Sequence, residues 1–420
     1  MSGRSGPVTT GDRFATTELP GGARVLTEEM PWVRSAAVGV WVRWGSAHEQ
    51  AAEMGVSHLL EHMVFKGTPS RSARDLALEL ERLGGSLDAY TTREHTSFQA
   101  RVLDSHLDEA LDVLSDMVLR PLLRAEDLAL EREVVLEEIA AVEDTPDDLV
   151  FDLHAAALWG AHPYGFSILG TRDTVGALEA ADLTRIHASA YTSPNLIIGA
   201  AGNLRHEDVV ARTTSLFADA LSVTGTALPA APRMERAALE RVSKATAQTH
   251  MVFGTATVPH GDPRRYALIL LSNALGGGMS SRLFQRVREE LGLAYTVYSY
   301  QTFYARAGVS GVYVGTRPEF ADRADAVVRE ELRRVARDGL TEAELADAKG
   351  QVKGQLVLSL ESSGARLQRL GAVALYEEPF LTLDELMARV DAVELRDVAA
   401  LAAEFFDPDR QVVVRLGPET

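Results

Sequence analysis

The pattern of apolar and polar residues predicts the same order of strands and helices in each half of the chain. Apolar residues alternate with polar ones where a half-buried strand is expected, and they recur every three or four positions where a helix is expected. Each half runs from strands through a helix and a strand pair to long helices and a closing strand. The predicted strands and hairpins are 19–25, 36–44, 86–103, 196–202, 248–257, 294–315 and 411–416, and the predicted helices are 55–63, 73–83, 106–119, 126–142, 180–191, 266–274, 281–290, 321–337, 342–360 and 381–405.

This order predicts an α+β protein with two structurally repeated domains, each a mostly antiparallel sheet with helices packed on one face. A chain of 420 residues also exceeds the size at which one core keeps growing. The stretch 218–237 is rich in Ala, Pro, Thr and Ser and predicts a linker. We therefore expect domains at 1–217 and 238–420. Sequence identity between the halves is faint, so the repeat depends on the order of elements.

Composition limits the classes of function. The formal net charge of -18 disfavours nucleic acid, which binds clustered Lys and Arg, and it favours cationic peptides, although solubility alone also accounts for it. The chain has no cysteine, so a zinc site must use histidine and carboxylate ligands. Residues 1–12 are polar and no apolar run approaches 18 residues, so we expect a cytoplasmic protein without a membrane partner.

The most specific chemistry lies in the string His-Leu-Leu-Glu-His at 58–62. On a helix, His58 and His62 project from one face, one turn apart, so both imidazoles can reach one Zn²⁺. Glu61 lies on the same face, where a carboxylate can take a proton from metal-activated water. The order is that of the inverzincin signature. The alternative is a chance match in a helix whose apolar residues face the core.

A zinc site needs a third protein ligand, and the predicted helix at 126–142 offers several carboxylates. Glu131 and Glu138 are seven residues apart and therefore lie on one face. Glu133 and Glu137 fit the solvated face that surface helices usually carry. Glu137 is the residue that an error of one position would select instead of Glu138.

These residues resemble the pitrilysin-like (M16) metallopeptidases, in particular the short bacterial members related to mitochondrial processing peptidase. That family has a His-x-x-Glu-His string followed by a distant Glu ligand, and Glu138 lies 76 residues after His62, as in the family. The resemblance implies that Glu138 is the third zinc ligand and that Glu131 orients a histidine or the metal water. It covers nearly the whole chain and includes the segments 63–68, 84–91, 193–195 and 202–203.

The resemblance also implies a peptide-binding edge strand at 86–91. In the family this strand pairs with the extended substrate, which needs only free backbone N–H and C=O groups. Ala89 and Tyr90 are the candidate substrate-binding residues. Asp88 stands where the family often has Asn, which weakens the expectation of a side-chain contact there and leaves backbone pairing possible. An ordinary edge strand is the alternative.

The second half lacks the zinc string, and we expect no metal there. Its segment 281–295 resembles the family's Arg and Tyr pair, which implies that Arg288 and Tyr295 reach the substrate carbonyl. The alternative is that Arg288 pairs with acidic neighbours while Tyr295 packs in a sheet. The glycine run at 276–278 lacks the lysine of a phosphate-binding loop. We assign no metal to His95, His154 or His162.

By this resemblance the protein is a zinc-dependent endopeptidase that cleaves peptides or unfolded protein segments inside a chamber formed by two chains. Longer relatives hold four such domains in one chain, so a homodimer of this two-domain chain is expected, or a heterodimer with a related subunit. The alternative is a non-catalytic or peptide-binding subunit of a heteromeric M16-like assembly. The complete set of motif residues argues against that alternative.

Overall fold

The computed structural model describes residues 13–82, 84–218, 225–234 and 238–418. These residues form two compact units. Unit 1 takes in the chain up to Ile139, together with Ser167–Pro229 and Ser359–Phe380. Unit 2 takes in Ala140–Phe166, Ala230–Leu358 and the chain from Leu381 onward. Within the described ranges, no helix combines the length and the apolar character needed to cross a membrane. The cytoplasmic location stays a prediction.

The elements follow the predicted order closely. The strands are β1 (Phe14–Glu18), β2 (Arg24–Glu29), β3 (Ser35–Val42), β4 (Ser86–Thr91), β5 (Thr96–Leu103), β6 (Leu196–Gly202), β7 (Leu239–Ser243), β8 (Thr249–Thr257), β9 (Ala294–Phe303), β10 (Gly308–Thr316) and β11 (Val412–Gly417). The helices are α1 (Val56–Met63), α2 (Ala73–Arg82), α3 (Leu107–Leu119), α4 (Ala125–Asp144), α5 (Pro146–Trp159), α6 (Arg172–Ala177), α7 (Ala180–Ala190), α8 (His206–Leu216), α9 (Arg265–Gly276), α10 (Ala321–Asp338), α11 (Glu342–Ser359), α12 (Ser363–Leu375), α13 (Leu383–Asp391) and α14 (Leu395–Phe405).

The two sheets repeat one topology, which confirms the predicted fold class. The sheet of unit 1 has the order β1-β2-β6-β3-β5-β4, and the sheet of unit 2 has the order β7-β11-β8-β10-β9. In each sheet one pair of strands is parallel, β2 with β6 and β7 with β11, and the other pairs are antiparallel. Five strands therefore correspond one to one, and β1 is an addition to the first sheet.

Each sheet carries helices on its second face as well as on the face that the sequence predicted. In unit 1, Leu367, Leu370 and Ala374 of α12 pack against Trp41 and its neighbours on that second face. In unit 2, Val150 of α5 packs in the same way against β8, β10 and β11. Both helices come from the other half of the sequence, so the compact units differ in these segments from the predicted linear domains, which stay a prediction.

Two of the predicted helices differ from the helices of the structure. The helix predicted over 381–405 is two helices, α13 and α14, because Glu394 and Asp397 form a capping box that starts a new helix. The helix predicted over 281–290 is π-helical from Phe284 to Glu290. Of the predicted linker, residues 219–224 and 235–237 lie outside the described residues, and 225–234 form no helix or strand.

A buried carboxylate anchors the loop that follows α1. Asp116 of α3 accepts hydrogen bonds from the side chains of Thr68, Ser70, Arg71 and Arg120 at 2.6–2.9 Å. Burial alone would raise the pKa of Asp116, but these hydrogen bonds outweigh burial and lower the pKa to about 2. The loop is therefore tied to the ionised Asp116 of α3 by three of these donors, and the fourth, Arg120, ends α3 itself.

We expect this anchor to weaken in acid. The folded-state pKa of Asp116 lies below the unfolded value of about 3.9, so its stabilisation is complete above that value and is lost as pH falls towards 2. Asp116→Asn should lower the thermal midpoint at pH 7, and the deficit should shrink by roughly half by pH 3. Unfolding curves from pH 7 to pH 3 measure this. The exposed Asp108→Asn on the same helix is the control, and an equal deficit at pH 7 and pH 3 would contradict the account.

Candidate metal centre

The sequence of α1 makes it an amphipathic helix. Its buried apolar residues follow the helical period, and the polar residues of the His-x-x-Glu-His string occupy the rest of the circumference. The two histidines and Glu61 therefore lie on the side of the helix opposite the apolar core. The buried apolar positions are Val56, Leu59, Leu60 and Met63.

The first turn of α1 is held by backbone contacts and one carboxylate. Gly55 precedes the helix at a φ of +93°, and a Cβ there would lie 2.5 Å from the carbonyl oxygen of Leu169. Glu49, which is 4% exposed, accepts hydrogen bonds from the backbone N–H groups of Gly55 and Ser57, each at 2.8 Å. Burial raises the pKa of Glu49 to about 7, against those hydrogen bonds. These contacts fix the start of the helix at Val56, two residues before His58.

Three ligand atoms converge beside α1. Nε2 of His58 and Nε2 of His62 each lie 3.6 Å from Oε2 of Glu138 on α4. Ligand atoms of a tetrahedral zinc ion are about 3.3–3.4 Å apart, given Zn–N bonds of about 2.0–2.1 Å. The three residues therefore fit a zinc ion after small movements, and they form the only such group of histidine and acidic side chains in the described ranges.

The other carboxylates of α4 lie on two different faces of the helix, one buried and one exposed. Glu131 lies on the buried face, and its Oε2 is 3.1 Å from Nδ1 of His62. Its Oε1 is 2.5 Å from Nζ of Lys66. Glu133 and Glu137 are exposed, and neither belongs to the group that could hold a metal. The position of Glu138, rather than Glu137, beside the two histidines agrees with the register that the sequence predicted.

Burial sets the protonation of two groups at this centre. Burial first, and the neighbouring His62 second, lower the pKa of His58 to about 4, so its imidazole is neutral and offers a lone pair. Burial also raises the pKa of Glu61, although a hydrogen bond to Thr91 opposes the shift. Thr91 Oγ1 donates to Oε2 of Glu61 at 2.6 Å, and this is the one hydrogen bond of that carboxylate in the described chain. Oε1 is therefore the oxygen left to exchange a proton.

The candidate substrate strand is an edge of the first sheet. β4, which contains Ala89 and Tyr90, pairs with β5 and with no other strand of the described ranges. Both residues are partly exposed. The hydroxyl of Tyr90 donates to Gln368 of α12 at 3.0 Å, so this side chain is tied within unit 1. The last residue of β4 is Thr91, which holds Glu61, so the edge strand and the carboxylate are directly linked.

Arg288 and Tyr295 come together within unit 2. The guanidinium of Arg288 lies 4.6 Å above the ring of Tyr295 and 4.7 Å from the ring of Phe284. Tyr295 is 74% exposed, so it does not pack in the sheet as the alternative supposed. Arg288 is also 3.7 Å from Glu289, a distance that makes a weak exposed ion pair.

The remaining histidines have other partners. Nδ1 of His95 lies 3.1 Å from the hydroxyl of Thr92, and Nε2 of His154 lies 3.2 Å from the carbonyl oxygen of Val412. Nε2 of His162 lies 2.9 Å from the carbonyl oxygen of Ala230. None of them belongs to the one metal-capable group in the described residues.

Sequence reasoning missed three residues that support the centre: Glu49, Lys66 and Thr91. Each acts through a contact with a residue that the structure brings close to it. Glu49 lies six residues before Gly55, outside the N-cap and first-turn positions in which an acidic residue signals a helix start, so it carried no cap signal. Lys66 and Thr91 carried no local signal, because their partners lie 65 and 30 residues away.

Known proteins resemble this chain over almost its whole length. Residues 24–172 match the family described as "Insulinase (Peptidase family M16)", and residues 177–352 match the "Peptidase M16 inactive domain". An uncharacterized zinc protease of Mycobacterium tuberculosis is 44% identical over 92% of this chain and 89% of its own length. One from Streptomyces coelicolor is 42% identical over 92% and 86%.

A solved structure gives the same result for the fold. The M16 inactive-domain structure from Pseudomonas fluorescens superposes with a TM-score of 0.91 at 25% identity, and the match covers 97% of this chain and 98% of that one. The match includes residues of both units. The chain belongs to the M16 peptidase family.

Proposed function

We propose that this protein is a zinc-dependent endopeptidase that cleaves peptides or unfolded protein segments. The observation that carries the proposal is the convergence of His58, His62 and Glu138 beside the buried carboxylate of Glu61. The naming of several relatives as zinc proteases supports the choice of metal. Two neutral imidazoles and one carboxylate are a typical catalytic zinc set, which leaves a fourth position for water or substrate.

The residues divide the chemistry among themselves. Zinc, when bound, lowers the pKa of a water ligand and polarises a carbonyl group. Oε1 of Glu61 accepts the proton of the attacking water and later delivers it to the leaving amine, which restores the carboxylate. Thr91 holds Oε2 during both transfers. The raised pKa of Glu61 brings the carboxylate closer to the range in which it can both accept and release a proton.

The substrate is proposed to add to the free edge of β4. An extended peptide would pair with the backbone of Ala89 and Tyr90, which requires no particular side chain of the substrate. The strand ends at Thr91, which binds Glu61, so a peptide paired with Ala89 and Tyr90 would run past the carboxylate of Glu61. This arrangement suits unfolded segments, because a folded chain has few free backbone groups to offer.

Arg288 and Tyr295 are proposed to donate hydrogen bonds to the substrate carbonyl. Both side chains end in donors, and their stacked contact limits the freedom of the exposed tyrosine. We propose that they serve the zinc site of a second copy of this chain, so that a two-fold dimer completes two sites. A heterodimer with a related subunit would supply the same groups. A purely peptide-binding subunit would need β4 but not Glu61.

Replacement of Glu61 should separate metal binding from catalysis. Glu61→Gln removes the proton acceptor and leaves all three ligands in place, so zinc content should stay at one per chain. Peptide hydrolysis should fall by at least about 10²-fold, the lower end for a positioned acid–base group. Cleavage of a mixed peptide library measures this, with the exposed Glu133→Gln as a matched control. Near-normal turnover of zinc-loaded Glu61→Gln would assign the base to another residue.

Replacement of Glu138 should instead remove the metal. Glu138→Gln deletes the only anionic ligand, so zinc should be lost to a chelator that the unaltered protein resists. Glu137→Gln is the control on the same helix, because its side chain is exposed and lies outside the group. If Glu137→Gln loses zinc and Glu138→Gln keeps it, the assignment of the third ligand is wrong.

Mixed dimers test whether Arg288 serves the zinc site of a second copy of the chain. His58→Ala and Arg288→Ala should each be inactive alone. Random pairing makes half of the dimers mixed, each with one intact site of two, so activity should return to roughly a quarter of the unaltered level. The measurement is peptide hydrolysis after proven subunit exchange. Exchange without any recovery would mean that Arg288 acts within its own chain, and activity of Arg288→Ala alone would mean that Arg288 has no role.

A further inference from the structure

We propose that Lys66 is a positioning residue of the metal centre. Its ammonium group holds the carboxylate of Glu131 in place, and that carboxylate fixes the orientation of the ligand His62. The inference rests on the proposed zinc site, but it does not depend on peptide cleavage. Among the described residues, no hydrogen bond or ion pair joins Lys66 directly to His58, His62 or Glu138. Lys66 therefore acts through Glu131.

Glu131 is shared between two partners, one for each oxygen. Oε1 lies 2.5 Å from Nζ of Lys66, and Oε2 lies 3.1 Å from Nδ1 of His62. A proton on Nδ1 donates to this carboxylate, so Nε2 keeps its lone pair for the metal. The side chain of Glu131 is 10% exposed, so water has little access to replace a lost partner. Removal of either partner therefore frees the carboxylate to turn.

The backbone of Lys66 is anchored on the segment that leads into α4. Lys66 ends the short 3-10 turn Val64–Lys66 that follows α1. Its carbonyl oxygen accepts a hydrogen bond from Nη2 of Arg124 at 3.2 Å, and the carbonyl of Gly67 accepts one from the N–H of Leu122 at 3.0 Å. Lys66 thus starts from a fixed point and joins the two ligand-bearing helices through both its backbone and its side chain.

The choice of lysine at this position fits the division of the two oxygens. The chain has four lysines and 38 arginines, so arginine is its usual cation. A guanidinium tends to bind both oxygens of a carboxylate, whereas an ammonium is a compact point charge that can bind one. Lysine therefore satisfies Oε1 and leaves Oε2 for His62.

Two effects of losing Lys66 oppose each other. The ammonium repels Zn²⁺, so its removal favours metal binding, but the group is 31% exposed and its field is screened by water and salt. Its removal also releases Glu131, and altered outer partners of metal-binding histidines usually cost 10–100-fold in metal affinity. We expect the second effect to dominate, with a net loss of about 10-fold.

The test measures zinc affinity of the full chain by competition with a chromophoric chelator at physiological salt. Lys66→Met keeps most of the aliphatic side chain and removes the charge, and we expect about 10-fold weaker binding by a zinc-free protein that still unfolds in one cooperative transition. Lys353→Met is the matched control, because Lys353 is 30% exposed and bonds Asp391 at 2.6 Å. It should leave zinc affinity unchanged. Lys66→Gln, which is too short to reach Oε1, gives a second variant if Lys66→Met folds poorly.

The Glu131→Gln background separates positioning from a general effect of charge. Because Lys66 acts through Glu131, Lys66→Met should weaken binding much less there than in the unaltered protein. Unchanged or tighter zinc binding by both Lys66 variants, or an equal loss in both backgrounds, would overturn the inference. Failure of the unaltered protein to bind zinc would instead refute the proposed metal site. Failure to cleave peptides while zinc binds would leave the inference standing and refute the peptidase.

Discussion

The fixed start of α1 is the constraint on which the metal centre depends. Gly55 and Gly170 approach so closely that a Cβ on either would lie within 2.5 Å of a backbone oxygen of the other segment. Glu49 adds two hydrogen bonds to the N–H groups of that first turn. A helix of eight residues has little stability of its own, so its position comes from these contacts and from its buried apolar face. Any slip would move both histidines away from Glu138.

The centre also depends on burying charge beside groups that compensate it. Glu131 is placed between an ammonium and an imidazole, and Glu61 is placed against a hydroxyl. Such partners are needed because a buried carboxylate without them would destabilise the folded protein. The two histidines differ in this respect. Nδ1 of His62 faces Glu131, whereas Nδ1 of His58 is buried without a hydrogen-bond partner among the described residues. The protein therefore specifies the orientation of His62 more strongly.

The sequence predicted what local periodicity and a specific motif can encode. The face of α1 follows from its spacing, and the ligand Glu138 followed from the family pattern rather than from its helix, on which Glu137 was equally available. The helices α5 and α12 were not predicted. In α12 the buried positions include Gly371, where a Cβ would lie 2.5 Å from the ring of Trp41, so small residues interrupt the usual apolar stripe. Contacts such as Lys66 with Glu131 were not predictable, because they depend on how separate elements pack.

We propose that one zinc ion binds to His58, His62 and Glu138. Anomalous scattering from crystals of the zinc-loaded protein, recorded on either side of the zinc absorption edge, tests this ligand set. We expect one strong peak per chain, about 2.0–2.2 Å from Nε2 of each histidine and from a carboxylate oxygen of Glu138. A peak bound by other residues, or the absence of any peak between the two histidines at full zinc loading, would contradict it.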